Sequence, residues 1–272
     1  MSNAILGRSR EWLAIRGPVT VTQKIASALL IWVVFFTAWE FVSMAGLANT
    51  LLVPPPHQVL ATLIDLFVNR GFLGDVAISL QRVMLSFAIA CAVAVPLGVL
   101  MGVFPAIEAV LNPFVSAWRY LPAPSFIPIL LMWFGTGEAP KLVLLFIGVI
   151  FFLITLIMDH TKEVRQELIE TGMTLGADRR TIVRTVVIPA VLPNILVAMR
   201  QMLAVSWTYL VIAEIVASTD GIGAMMMRAR RFLHTDEIMS GIIVIGVLGI
   251  VSDVLFRQLH GWCFPYLSKS KS

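Results

Sequence analysis

Long apolar stretches alternate along this chain with short polar segments, and the pattern predicts membrane-spanning helices. A helix needs about 20 mostly apolar residues to cross the hydrocarbon core of a bilayer. Six stretches approach this length, at about residues 28–48, 83–104, 111–134, 141–158, 193–216 and 238–256. We therefore predict an all-α membrane protein with six spans in a transmembrane domain of residues 28–258, flanked by tails of residues 1–27 and 259–272.

Two of these stretches contain residues that predict a break in the helix or its close packing against another helix. The third contains four prolines, which interrupt helical hydrogen bonds and leave backbone groups that protein or water must satisfy. We expect this span to be broken at its prolines, which are Pro113, Pro122, Pro124 and Pro128. In the second stretch Gly98 and Gly102 form a G-x-x-x-G pattern, which favours close contact with another helix.

Composition agrees with a membrane location. Hydrophobic residues make up 58% of the chain and charged residues only 13%, whereas soluble domains carry about 25% charged residues. The net charge of +4 could indicate nucleic-acid binding, but basic cytoplasmic loops produce the same balance. Aromatic and basic residues are not interleaved, so we predict no nucleic-acid partner. The histidines show no metal-ligand spacing, so we predict no metal site.

Lysines and arginines concentrate in three polar segments, and this bias predicts the orientation of the chain. Four lie in residues 1–27, five in residues 162–193, and three follow the last span. Cytoplasmic segments of membrane proteins are enriched in these residues. We therefore expect a multi-pass membrane protein with both termini in the cytoplasm.

The segment of residues 162–192 is a charged island between two spans, and its pattern predicts two helices joined by a turn. Residues 163–175 are rich in helix formers, Gly176 can end that helix in a left-handed conformation, and Asp178 can cap the next one. We expect Pro189 to stop the second helix and Pro193 to open the next span. One face of the second helix is apolar, with Ile182, Val183, Val186 and Val187.

The same segment resembles a known motif. Glu170-Thr171-Gly172, Gly176 and Ile188-Pro189 have the spacing of the EAA-x3-G-x9-I-x-LP loop of bacterial ABC importer permeases. Thr171-Gly172 stands where the motif has Ala-Ala, and Val186-x-Ile188-Pro189 stands for I-x-LP. Further stretches resemble those of the nitrate/taurine subfamily of these permeases, in the same order along the chain. They are LVPPPHQV at 52–59, PAP at 122–124, WFGTGE at 133–138, SW at 206–207, AE at 213–214, GIG at 221–223 and FLHTD at 232–236.

The resemblance implies a MetI-like permease that works as a homodimer. Two cytoplasmic ATPase subunits would dock on the loop, and an extracytoplasmic solute-binding protein would deliver substrate. The coupling residues implied for the ATPase contact are Glu170, Thr171, Gly172, Gly176, Ala177, Ile188 and Pro189. The chain has no G-x-x-x-x-G-K-[ST] phosphate loop, so we expect no enzymatic activity and no cofactor of its own, with ATP and Mg²⁺ bound by the partners.

The sequence offers four candidate residues for the transport pathway, each with an alternative structural interpretation. Glu214 lies inside the fifth span, where an ionisable group is paired or functional by default. It either pairs with a cation, such as Arg119 or Arg200, or lines the pathway together with Arg119. Trp207 and Tyr209 either line the pathway or pack against neighbouring helices.

Two charged groups lie near span ends. Arg228, Arg230 and Arg231 follow the fifth span on the side opposite the charged island. They either attract an anion above the pore or dock acidic residues of the binding protein. Asp253 and Arg257 are one helical turn apart, so we expect an ion pair between them.

These features together predict a permease that passes a small anion across the membrane by alternating access. The resemblance implies nitrate, bicarbonate, taurine or another sulfonate, and the chain itself does not select among them. A permease of the same class for another small organic solute is the main alternative. A secondary transporter or channel would show inverted repeats, which the sequence lacks. A membrane enzyme would show a nucleophile–base constellation, and none appears.

Overall fold

The structure, a computed structural model, describes residue 17, residues 19–47 and residues 49–268. All regular structure in these residues is helical, which confirms the predicted all-α class. Among them, five helices are long and apolar enough to cross a membrane, and a shorter apolar segment covers Ala123–Phe134. This set is compatible with the six predicted spans. Most of the predicted N-terminal tail lies outside the described residues, as do residues 269–272.

The chain divides into two units, residues 1–62 and residues 63–272. In the first, helix α1 runs from Val21 to Met44. It begins earlier than the predicted span of 28–48 because Thr20 and Gln23 form a capping box, in which each side chain accepts a hydrogen bond from the other's backbone N–H. Glu40, an ionisable residue on this helix, has a partner: its Oε1 lies 2.6 Å from Nδ1 of His57.

The remaining helices are numbered in chain order. They are α2 (Pro56–Asn69), α3 (Phe72–Val103), α4 (Pro105–Arg119), a 3₁₀ turn (Ala123–Phe126), α5 (Ile127–Phe134), α6 (Ala139–Lys162), α7 (Gln166–Thr174), α8 (Arg179–Ile182), a π-helical segment (Val183–Val187), α9 (Ile188–Ala217), α10 (Ile222–Arg231), α11 (Thr235–Cys263) and α12 (Pro265–Ser268). The predicted spans at 83–104, 141–158, 193–216 and 238–256 fall on α3, α6, α9 and α11, which extend beyond the apolar runs.

Helices α3 and α6 run parallel and form the centre of the second unit. A Cβ atom on Gly98 would lie 2.7 Å from Cβ of Ile157 and 2.9 Å from the backbone oxygen of Ile154. Only a glycine fits at that distance, so the predicted close contact of the G-x-x-x-G pattern is confirmed, with α6 as its partner. Helix α9 packs antiparallel in the same core, through residues such as Ile195 and Leu210.

The third predicted span is broken, as expected. Helix α4 ends at Arg119, and the 3₁₀ turn and α5 follow with prolines in their first turns. Pro113, in contrast, lies inside α4 without ending it. The Trp118 ring stacks between those of Phe126 and Phe151, at centroid distances of 5.5 Å, and so joins the two sides of the break to α6.

These directions give the second unit two distinct ends. One end contains the first residues of α3, α6 and α11 and the last residues of α9. We call it the node end, because a cluster of charged side chains lies there. Helices α3, α6 and α11 finish, and α9 begins, at the other end. We call it the hairpin end, because residues 166–187 (α7, α8 and the π-helical segment, hereafter the coupling hairpin) lie there.

Candidate functional site

The first arm of the coupling hairpin ends as the sequence predicts. Helix α7 stops at Thr174, and Gly176 has φ +83°, a left-handed conformation that suits glycine. The N–H groups of Gly176 and Ala177 donate to the carbonyl oxygens of Met173 and Gly172, at 2.9 and 3.1 Å. Gly176 therefore fixes the reversal of the chain between the two arms.

The second arm begins as predicted but does not end where expected. Asp178 Oδ1 accepts a hydrogen bond of 2.9 Å from the N–H of Thr181, which confirms it as the cap. Pro189 was expected to stop this helix and Pro193 to open the next; both predictions are wrong, because the chain continues helically through both into α9.

The π-helical segment explains how the helix passes Pro189. Proline lacks an N–H, and its ring clashes with the carbonyl four residues earlier in an α-helix. Over Val183–Val187 the turn is wider, and the N–H of Ile188 donates to the carbonyl of Val183 five residues earlier. The wide turn relieves the clash, so the coupling hairpin is joined to a long spanning helix without a loop.

The two arms of the hairpin meet at Gly172. A Cβ atom there would lie 3.5 Å from Cγ1 of Ile182 and 3.8 Å from Cγ2 of Val186, which are ordinary contact distances. The predicted apolar face is confirmed, since Ile182 and Val187 are buried and Val183 is half-buried. Gly172 therefore lies on the seam between the arms, where an alanine would also fit.

The outer surface of α7 is exposed and partly apolar. Leu168 and Met173 on α7, and Leu175 directly after it, have exposed fractions of 44, 57 and 81%. Glu170 and Thr171 are also exposed. The remaining predicted coupling residues, Ala177, Ile188 and Pro189, lie near the turn and at the start of α9, half-buried or exposed. Exposed leucines beside charges on a short helix are typical of a surface that a partner protein covers.

Glu214, at the opposite end, is fully buried and paired with a residue that the sequence did not suggest. Its Oε1 accepts a hydrogen bond of 2.7 Å from Nη1 of Arg82, which is 3% exposed. The predicted partners are wrong: Arg200 pairs with Asp253, and Arg119 lies over the ring of Tyr120. Arg82 precedes the predicted second span by one residue, and the rule that membrane charges are paired could have identified it.

Arg82 joins carboxylates from three parts of the chain. Its Nε and Nη2 each lie 2.7 Å from an oxygen of Glu138, and Nη2 also pairs with Asp220. Lys141, itself buried, donates to Glu138 at 2.7 Å. We call Arg82, Glu138, Lys141, Glu214 and Asp220 the charge node; it contains two cations and three carboxylates.

Backbone N–H groups complete the charge node. Glu214 Oε2 accepts a hydrogen bond of 2.8 Å from the N–H of Gly223, in the first turn of α10, where the helix dipole favours an anion. Ser79 Oγ donates to Glu214 Oε1 at 2.8 Å and accepts from the N–H of Ile222 at 2.9 Å. A buried charge is tolerated when its hydrogen-bonding capacity is filled in this way.

Glu138 and Asp220 form the exposed edge of the charge node, with side chains 54 and 46% exposed. Hydrogen bonds from Arg82, assisted by Lys141, lower the pKa of Glu138 to about 2. This carboxylate therefore stays ionised at every physiological pH. The charge node holds together α3, the start of α6, the finish of α9 and the start of α10.

Trp207 and Tyr209 both pack against neighbouring helices. A Cβ atom on Gly148 would lie 2.7 Å from Cδ2 of Tyr209, so the tyrosine ring rests directly on α6. Trp207 is buried in the core, although its indole N–H has no hydrogen-bond partner within the described part of the chain. A place for either residue on the transport pathway stays a prediction.

The three arginines of α10 are not equivalent. Arg228 donates to Asp75 Oδ2 at 3.0 Å and to the carbonyl of Thr219 at 2.6 Å. Arg230 and Arg231 are exposed in the last turn of the helix, where cations are favoured by its dipole. The predicted pair of Asp253 and Arg257 is confirmed, at 2.7 Å.

Comparison with known proteins finds one matching family and several similar proteins. Residues 94–268 match the family of binding-protein-dependent transport system inner membrane components. The chain belongs to that family. It is 33% identical over 238 residues to the taurine transport system permease protein TauC of Escherichia coli, covering 86% of each chain. It is 25% identical over 237 residues to the bicarbonate transport system permease protein CmpB of Synechococcus elongatus, covering 84% of this chain and 85% of CmpB.

Solved structures agree with the permease fold. A chain of the methionine ABC transporter MetNI, in an inward-facing conformation, aligns with a TM-score of 0.58 at 21% identity. The alignment covers 69% of this permease and 95% of that chain. The MetI-like fold implied by the coupling motif is thereby confirmed. The chain is a membrane permease of the ABC importer class, a family that works with ATPase and binding-protein partners.

Proposed function

We propose that this permease imports a small sulfonate, with taurine as the first candidate, across the inner membrane. The proposal rests on the similarity to TauC, which is higher and extends over slightly more of the chain than that to CmpB. Two copies of the chain form the pathway by alternating access. Bicarbonate is the second candidate because of the match to CmpB.

The coupling hairpin is the proposed docking surface for the ATPase subunits. Leu168 and Glu170 on α7, and Leu175 directly after it, are exposed and lie outside the packed core of the unit. The hairpin end is then cytoplasmic, together with both termini, in agreement with the concentration of lysine and arginine in residues 162–193. ATP and Mg²⁺ bind to the ATPase subunits, and this chain carries no catalytic step.

The continuous helix from Arg179 to Ala217 supports a lever mechanism, and it is the observation that carries this part of the proposal, the coupling of the hairpin to the pathway. The second arm of the hairpin and the spanning helix α9 are one helical body. A displacement of the hairpin by the ATPase is therefore transmitted to the buried part of α9, which ends in the charge node. No loop lies between them to absorb the motion.

Uptake in proteoliposomes tests this function. The permease, its ATPase and its binding protein are reconstituted, and uptake of labelled taurine is measured with and without ATP. We expect ATP-dependent uptake that excess unlabelled taurine suppresses and that bicarbonate leaves unchanged. ATP-dependent uptake of labelled bicarbonate, with no uptake of labelled taurine, would assign the second candidate. Uptake that proceeds equally without ATP would contradict an importer driven by ATPase subunits.

A further inference from the structure

A cavity of about 170 Å³ lies between α9 and α11, in the half of the unit nearer the hairpin end. It is separate from the charge node and from the coupling hairpin. Half of its lining side chains are apolar and half carry nitrogen, and we call these two sets the apolar wall and the polar wall. Its lining residues are Leu196, Val197, Arg200, Phe256, Arg257 and His260.

The polar wall of the cavity has an excess of positive charge. Nε of Arg200 lies 3.5 Å from Oδ1 of Asp253, and Nη2 of Arg257 lies 2.7 Å from Oδ2 of the same residue. Two guanidinium groups therefore share one carboxylate. Each guanidinium carries five N–H donors, so a shared carboxylate leaves most of these donors free. His260 adds ring nitrogens to the same wall.

We propose that this cavity binds one oxyanion group, such as a phosphate or a sulfonate. Guanidinium groups bind such oxygens through strong, charge-assisted hydrogen bonds. The surplus cation supplies the charge, and the apolar wall of Leu196, Val197 and Phe256 suits the rest of an amphiphilic ligand. An anionic phospholipid headgroup and a free anion both present this group, and basic pockets between spanning helices are known lipid-binding features. The site does not depend on which substrate the permease carries.

The experiment measures binding to the full-length permease purified in detergent. Native mass spectrometry reports retained phosphatidylglycerol, with phosphatidylcholine as the uncharged comparison. Free taurine and free sulfate are then tested for their ability to displace the lipid and to bind by themselves. The variants are Arg200→Gln with Arg257→Gln, and Asp253→Asn alone. The control, Lys24→Gln with Arg70→Gln, removes two cations that do not line the cavity.

We expect the double arginine variant to bind about tenfold more weakly, the factor that a lost charge-assisted hydrogen bond gives. We expect Asp253→Asn to bind more tightly than wild type, because it releases both guanidinium groups. The control binds as wild type does. Retention of phosphatidylglycerol that neither free anion displaces identifies a lipid headgroup as the ligand, and displacement or direct binding identifies a free anion.

Two results would overturn the proposal. The first is equal binding of every probe by wild type and the double arginine variant. The second is weaker binding by Asp253→Asn, since that result would mean that the three residues only stabilise the two helices. The Asp253→Asn measurement decides the matter by itself if the arginine variant does not fold.

Discussion

The two ends of the helical unit use charged residues in opposite ways. At the node end, Glu214 is fully buried and Arg82 bonds to carboxylates from three segments. At the hairpin end, Glu170 is exposed beside exposed leucines. Buried, mutually paired charges fix the relative positions of helices, whereas exposed charges beside apolar side chains are available to a partner. The first end is built for rigidity and the second for contact.

The largest effect on stability should follow from breaking the charge node. Arg82→Gln leaves the carboxylate of Glu214 buried without its cation, and removal of one partner of a buried pair costs about 3–5 kcal/mol of unfolding free energy. Unfolding by titration with sodium dodecyl sulfate measures this loss. The second change Glu214→Gln, added to Arg82→Gln, should recover part of it because the unpaired charge is removed.

The control for that experiment is Arg165→Gln, at the hairpin end. Arg165 also pairs with a carboxylate, that of Glu167, but the two side chains are 74 and 71% exposed. Exposed pairs contribute about 0–1 kcal/mol, so this variant should unfold almost as wild type does. Equal losses from Arg165→Gln and Arg82→Gln would refute the distinction between the two ends.

Reversal of the charge on Glu170 should reduce transport without reducing stability. We expect Glu170→Arg to lower ATP-dependent uptake at least about tenfold, since like charges placed opposite each other at an interface cost several kcal/mol. Unfolding should be unchanged, because the side chain is exposed. Glu163→Arg makes the same change at the same end but off α7, and it should retain uptake. Full uptake by Glu170→Arg would contradict the docking assignment.

The turn of the hairpin should be sensitive to the shape of residue 176. At φ +83° a residue with a Cβ is strained, by about 1–2 kcal/mol. Gly176→Val should therefore lower both hairpin order and coupled uptake, while Gly176→Asn, which tolerates this conformation, should have the smaller effect. Hydrogen exchange of α7 measures the order of the hairpin. Equal exchange in both variants would show that the conformation of residue 176 does not matter.

The last comparison makes one substitution at two glycines, and its smallest expected effect is at Gly172. Gly172→Ala places a Cβ at ordinary contact distances and should stabilise α7 by about 0.5–1 kcal/mol, because alanine favours helix. Gly98→Ala places a Cβ 2.7 Å from Ile157 and should destabilise the contact of α3 with α6. Thermal unfolding compares the two variants. Shifts of Tm in the same direction would contradict this contrast.

Features with a local cause could be predicted from the sequence. Gly176 and Asp178 act through turn and cap chemistry, which depends on a few neighbouring residues. The six apolar stretches and the G-x-x-x-G pattern follow from periodicity and residue size. The break of the third span follows from its prolines, although Pro113 shows that a proline can lie inside a helix.

Features that depend on the tertiary arrangement could not be predicted from the sequence. Arg82 and Glu214 are 132 residues apart, and several arginines were possible partners for one buried carboxylate. The choice depends on which helix ends meet, and periodicity does not contain that information. Pro189 shows the complementary case, in which a local rule is overridden: the wide turn before it removes the clash on which the rule depends.

The π-helical segment also determines where this helix tolerates a change of length. Two buried residues, Ile182 directly before the segment and Val187 at its end, are five positions apart, whereas the next buried residues, Val191 and Ile195, follow at intervals of four. In a regular α-helix five positions turn the side-chain direction by about 140°, so the wide turn absorbs one surplus residue. Deletion of one residue within the segment would leave both ends of the helix facing as before, although it would restore the clash of the Pro189 ring with the carbonyl four residues earlier. The same deletion further along α9 would rotate the hairpin by about 100° and misdirect its outer surface.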